Sequence, residues 1–239
     1  MSDKTKYKIK KNHLLVISIS MLVFNLILIL IGFIMGIFDR AVYIIFFYHV
    51  SSAWLSYFSF SISLVSHILY LKQKKIVWSR IGKSSVTVGV FFAAFTLITG
   101  SIWFNATSGG YQNVFWQWSD PRQTSTLILF LSYLSYLIFG NLVEERDRMA
   151  KLTAIYGIVV FPTVPFSYLS AIIWNSFHPL INPSPGQGHI YWDSVKLFIL
   201  FLNLISMTIL FAYLVQEFME LEKKKEELKI IIQKRLKEA

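Results

Sequence analysis

The feature that most constrains this chain is the length of its apolar runs. Leu14 to Phe38 carries 25 consecutive residues without Asp, Glu, Lys or Arg, and comparable runs recur along the sequence. A helix of about 20 apolar residues crosses the roughly 30 Å hydrocarbon core of a bilayer. The composition agrees: 55% of the 239 residues are hydrophobic, 15% are charged, and the mean hydropathy is +0.55. Soluble domains carry about 25% charged residues, so a water-soluble enzyme, a nucleic-acid-binding domain and a disordered chain are all excluded. No cysteine is present. Disulfides, thiolate metal sites, thiol nucleophiles and covalent haem attachment through Cys-x-x-Cys-His are therefore excluded as well.

Six spans are expected, giving an all-α polytopic membrane protein. They run Leu14–Phe38, Ala41–Leu71, Ser84–Phe104, Thr124–Val143, Leu152–Trp174 and Ser194–Phe218. A cleaved signal peptide is the rival reading of the first. The run is too long for a signal h-region, and Phe38-Asp39-Arg40 is no small-residue cleavage site. The second is too long for one straight crossing, so His49–Leu71 is taken as the spanning part, with Ala41–Tyr48 at the interface or tilted into it. Pro162 and Pro165 remove backbone donors and should kink the fifth.

The net charge of +10 is a topology signal. Lys and Arg counted on alternate sides split 20 to 3, with only Arg40, Arg122 and Lys196 on the poorer side. The positive-inside rule puts the richer side, and with it both termini, in the cytoplasm. The charge thus implies attraction to anionic membrane lipid rather than to nucleic acid. The expected organisation is a basic tail (1–13), a membrane domain (14–218) with outer loops 105–123 and 175–193, and a charged cytoplasmic helix (219–239). In that helix Glu220 and Lys224 form an attractive pair four residues apart, and Glu222 and Glu226 a repulsive one. It is expected to be solvated, with docking to a partner as the alternative.

The outer loops concentrate aromatics: Tyr111, Phe115, Trp116 and Trp118 in one, Tyr191 and Trp192 in the other, with Trp103 and Trp174 at span ends. An interfacial aromatic belt accounts for part of this, but less well for a cluster centred on Asp120-Pro121-Arg122. His49, His178 and His189 also fall toward the outer side, and ionisable residues at a membrane edge are functional candidates by default. Two imidazoles flanking an aromatic platform suit a flat macrocycle whose metal needs two axial ligands, and haem is such an object. Aromatic rings can stack on it, and an arginine can pair with its propionates. Zinc held by His49, His178 and His189 stays open on these residues alone. So does a cytochrome b with His13 and His67 as an inner pair.

Four segments carry a family resemblance: YIIFFYHVSSAW (Tyr43–Trp54), TLITGSIW (Thr96–Trp103), FWQWSDPRQTSTLILFLSYLSY (Phe115–Tyr136) and FPTVPFSYLSAIIWNSFHP (Phe161–Pro179). In order and spacing the chain resembles the CcmC-type haem-handling proteins of cytochrome c maturation, within the wider tryptophan-rich group. The pattern departs in places. Ser51 stands where the family has proline, Phe115 replaces a tryptophan, and Ser119 separates Trp118 from Asp120.

The resemblance implies a non-covalent b-type haem with His49 and His178 as axial ligands. Phe115, Trp116, Trp118 and Asp120 would present it, with Arg122 just beyond. It further implies a carrier rather than an enzyme, in the plasma (inner) membrane with the haem site on the outer, periplasmic side. Its partners would be a CcmE-type haem chaperone and ABC-type transporter subunits. A system-II-type cytochrome c synthetase component is the nearest alternative, and a permease subunit without haem is another. His189 receives no family role.

Overall fold

The computed structural model describes residues 3–38, 43–107, 115–143, 145–174, 176 and 194–238. Every regular element among them is helical: α1 (Asp3–Ile34), α2 (Tyr43–Gln73), α3 (Ile76–Thr107), α4 (Pro121–Leu142), α5 (Arg146–Val160), α6 (Thr163–Ile173) and α7 (Ser194–Glu238). Six stretches are long and apolar enough to cross a membrane, the fifth being α5 and α6 together (Arg146–Ile173). Large apolar side chains such as Val16, Phe24, Phe91, Ile98, Val159 and Phe201 are exposed along these stretches, as expected where lipid rather than water is the solvent.

Several boundaries differ from expectation. The second span is one unbroken helix from Tyr43, with no separate interfacial leg before His49. At 31 residues it is about 46 Å long. Lys74 turns it directly into α3 with φ 56°, its N–H donating to the Tyr70 carbonyl at 2.8 Å. The last helix runs without a break from Ser194 through the charged tail.

The fifth span breaks where its prolines require. Neither Pro162 nor Pro165 can donate to the carbonyl four residues back, which frees Ile158 and Phe161. The residue before each proline takes over, Phe161 N–H donating to Ile158 O at 3.3 Å and Val164 N–H to Phe161 O at 2.8 Å. The bend is thus bridged by tighter turns that give both of these carbonyls a donor.

The centre of the bundle is the antiparallel pair α2 and α3. Its seam is built of small residues spaced three or four apart. On α2 these are Ser52, Ser56, Ser59, Ser63 and Ser66, all buried. On α3 they are Gly82, Ser85, Gly89, Ala93, Thr96 and Gly100. Such residues let backbones approach closely in a membrane, where van der Waals contact replaces the hydrophobic drive. The closeness is visible at the glycines. A Cβ on Gly89 would come within 2.7 Å of the Phe60 ring, and one on Gly82 within 2.6 Å of His67 Nδ1. The hydroxyl of Ser59 crosses the seam to donate to Ser85 O at 2.9 Å.

Around this pair, α4 packs on α3 and on both halves of the broken span, while α7 packs on α3, α2 and α1. Tyr133 of α4 stacks on Phe60 of α2 at 3.6 Å between ring centroids. Helix α1 is peripheral and leans mainly on α7. Two apolar layers fasten that side. One contains Ile29, Phe47 and Ile199; the other contains Leu55, Met207 and Phe211, with Leu22 packed against it.

At the end carrying the termini, α7 does not stand free in solvent. Glu226 receives Arg80 through two bonds, Nε to Oε1 at 3.2 Å and a terminal nitrogen to Oε2 at 2.7 Å, and Arg146 Nε lies 3.3 Å from the same Oε2. Glu222 receives Lys83 at 2.8 Å and Lys225 at 3.3 Å. The Glu222/Glu226 pair expected to repel is therefore separately neutralised by cations of α3, α5 and α7 itself. Spacing along one helix could not anticipate charges arriving from other helices.

Candidate functional site at the His49 end of the bundle

His49 lies on the second turn of α2, against the seam with α3. A Cβ on Gly100 would stand 2.9 Å from its Cε1, so the glycine makes room for the ring. Nδ1 lies 3.0 Å from Thr99 Oγ1. The Thr99 hydroxyl donates to the Phe95 carbonyl at 2.7 Å. With its proton on that carbonyl, its lone pairs face His49 and Nδ1 is the donor. The neutral ring then carries its lone pair on Nε2. This is the tautomer in which a second-shell acceptor orients a histidine for metal ligation.

The aromatic segment is tied to the start of α4. Asp120 caps that helix, its Oδ1 accepting from Gln123 N at 2.9 Å and its Oδ2 from Ser176 Oγ at 2.8 Å. The carboxylate is buried, with 2% exposure. The family resemblance assigns Asp120 to the platform; these two contacts tie it to the first turn of α4 and to Ser176. Thr124 Oγ1 donates to Trp118 O at 2.8 Å, and Gln117 N to Gln123 Oε1 at 3.0 Å. Three loop residues, Gln117, Trp118 and Asp120, are thus hydrogen-bonded onto the first turn of α4.

Trp116 and Trp118 meet edge to face at 5.9 Å. With Leu97, Ile98 and Ser101 of α3 and Leu127 of α4 they line an apolar cavity of about 230 Å³. Ile98 and Trp118 are 62% and 71% exposed, so the cavity opens laterally. Trp116 Nε1 is buried and has no hydrogen-bond partner among the described residues. Phe115 is 61% exposed beside the pair.

Arg122 is held lower in the bundle. A terminal nitrogen donates to Ser167 O at 2.6 Å, and the guanidinium stands 5.7 Å and 5.8 Å from the rings of Tyr57 and Tyr168. Tyr57 OH and Thr126 Oγ1 meet Ser167 Oγ at 3.2 Å and 3.1 Å. The arginine thereby joins α4 to α2 and α6.

These residues share one end of the bundle but not one compact pocket. On α3, Thr96, Thr99 and Gly100 face α2 and His49, whereas Leu97, Ile98 and Ser101 face the tryptophans. At about 100° per residue the two sets lie on nearly opposite sides, so α3 stands between the His49 ring and the Trp116/Trp118 cavity. His178 and His189 lie outside the described residues, as do Tyr111, Tyr191 and Trp192. Among the described residues no group of three metal-ligating side chains occurs.

The inner histidine pair is not formed. His13 is exposed on α1, whereas His67 is fully buried, with Nε2 3.0 Å from Ser63 Oγ and its ring packed by Gly82, Gly157 and Tyr136. Sequence reasoning placed His67 near one membrane edge and missed that role. Gly82, spaced on α3 with Gly89 and Gly100, was the available signal.

Comparison with known proteins gives the chain its relatives. The family model described as heme exporter protein C matches residues 2–232. Heme exporter protein C of Bradyrhizobium diazoefficiens is 31% identical over 170 residues, which is 71% of this chain and 62% of that protein. A ccmC-like mitochondrial protein of cytochrome c biosynthesis from Marchantia polymorpha is 30% identical over 173 residues, 72% of this chain and 71% of its own. The cytochrome c biogenesis protein CcsA of a Synechococcus strain is 33% identical over 76 residues, 32% of this chain and 23% of its own. The matched segment thus spans less than two thirds of the Bradyrhizobium protein's length. With a family model covering nearly its whole length, and with the six spans that its sequence requires, the chain belongs to the CcmC (heme exporter protein C) family.

Proposed function

We propose that this protein binds haem non-covalently at the outer face of the plasma membrane and hands it on during the biogenesis of c-type cytochromes. His49 and His178 are the axial ligands in this reading, and Phe115, Trp116 and Trp118 cover the macrocycle. Haem is cargo here, bound and released with no bond made or broken in the porphyrin. The observation that carries the reading is the Thr99 hydroxyl at 3.0 Å from His49 Nδ1; with the hydroxyl proton on Phe95 O, Nε2 is the lone-pair nitrogen. The laterally open apolar cavity beside Trp116 and Trp118 adds a surface on which a porphyrin edge can rest. The names of the relatives, which speak of heme export and of cytochrome c biogenesis, point to the same process.

Because α3 stands between His49 and the tryptophan cavity, haem would reach both by bridging the end of α3, or would move from one to the other as it is handed on. The 20-to-3 split of basic residues supports an outer position for this end. A haem chaperone of the CcmE type would take the cargo there, assisted by ABC-type transporter subunits. The exposed rings of Phe115 and Trp118 are available to such a partner.

The test is absorption spectroscopy of the purified protein titrated with haem. A low-spin b-type spectrum is expected for the wild type, and its loss in both His49→Ala and His178→Ala. Unchanged spectra in both variants would refute the ligand assignment. Crosslinking of Trp118-region variants to a co-expressed haem chaperone separates delivery from storage.

A further inference from the structure

On the side of the bundle away from the α2–α3 seam, three polar side chains are fully buried on three different helices: Asn25 of α1, Ser51 of α2 and Asn203 of α7. Both carboxamide atoms of each asparagine and the Ser51 hydroxyl have no hydrogen-bond partner among the described residues. Their helical register places them together. Ile29, Phe47 and Ile199 share one apolar layer, and Leu22, Leu55 and Met207 meet in the next. Asn203 lies four residues from both Ile199 and Met207, and Ser51 four from both Phe47 and Leu55. Asn25 lies four from Ile29 and three from Leu22. Residues three or four apart share a helix face, so all three point to the same level between the two layers.

Five orphaned polar atoms at one level inside a membrane protein demand an explanation. Leaving each unsatisfied in hydrocarbon is costly. They supply donors and acceptors in mixture and no charge, which matches a neutral molecule that both gives and takes hydrogen bonds. A water bound by two to four polar partners fits that description. We propose that Asn25, Ser51 and Asn203 enclose a water molecule within the membrane span, and that this water-bridged junction holds the peripheral helix α1 onto α2 and α7. The junction is independent of haem: it occupies the opposite face of α2 from His49, two residues further along.

A double-mutant cycle on the full-length protein in detergent tests it. Asn25→Leu and Asn203→Leu should each lower the thermal midpoint. The double variant should fall no further than the worse single one, because the second amide then has nothing left to lose. Strictly additive losses would overturn the shared junction. Should either leucine variant fail to fold, Ser51→Ala in place of one of them completes the cycle. A map of the wild-type protein in nanodiscs, resolved well enough to show waters, should place density within hydrogen-bond reach of all three side chains. Carboxamides bonded directly to each other with nothing between them would overturn the bridge. A midpoint that shifts when choline replaces sodium would overturn the assignment in favour of a cation.

Discussion

Thr99→Val tests how His49 is prepared for a metal. Valine keeps the shape of threonine and replaces the hydroxyl by a methyl group. The 3.0 Å contact to His49 Nδ1 is lost, while Gly100 still leaves space for the ring. Nδ1–H then has no side-chain acceptor on α3, and the ring can turn or adopt the other tautomer. Loss of such a partner to a metal-ligating histidine typically costs about 10–100-fold in affinity, which is about 1.4–2.7 kcal/mol. A hydrogen bond of this kind contributes about 1 kcal/mol to folding, so the apo protein should lose little stability. The assay is a haem titration followed by absorbance, with thermal unfolding of the apo protein measured in parallel. Thr99→Ser restores the hydroxyl and should recover wild-type affinity. Unchanged affinity in Thr99→Val, or a loss that Thr99→Ser fails to rescue, would refute the argument that this hydroxyl sets the ring.

Three further outcomes follow from the packing. Glu226→Gln removes the carboxylate that receives Arg80 and Arg146, whose side chains are 21% and 42% exposed. With that exposure discounted, the cost is about 1–2 kcal/mol, and the difference from wild type in thermal unfolding should shrink as salt is raised. Gly157→Ala drives a methyl group to within 2.6 Å of His67 Nε2, a ring already closed in by Gly82 on α3. It should destabilise by about 1–3 kcal/mol, and His67→Ala in the same chain should relieve part of that loss. Asp120→Ala removes the α4 cap and the acceptor for Ser176. The cap alone is worth about 1 kcal/mol, and Asp120→Asn, which can still accept from Gln123 N, should retain most of it in the same unfolding assay.

Several features were legible from the residues alone. The six spans and the break at Pro162 can both be read along one segment at a time. A bilayer requires each crossing segment to satisfy its own backbone, so length, charge and proline position decide each helix locally. The aromatic concentration around Trp116 and Trp118 was likewise visible as composition.

What each residue faces was not legible. The same rule that makes spans readable leaves their relative rotation to packing. Asn25 and Asn203 lie within two apolar runs, and only the shared layers around Ile199 and Met207 bring them to one level. Glu222 and Glu226 read as mutual repulsion until Arg80, Lys83 and Arg146 arrive from α3 and α5. His67 read as an edge residue until Gly82 and Gly157 closed on it. Above all, His49 and Trp116 belong to one end of the molecule by sequence, yet α3 divides them. The sequence by itself determined how many helices cross, where they break and which chemistry gathers at one end. The tertiary structure alone decided which side chains meet, because contact between helices depends on the rotation and depth of each about its own axis. Those are set by small-residue seams such as Ser59 against Gly89, not by any segment read alone.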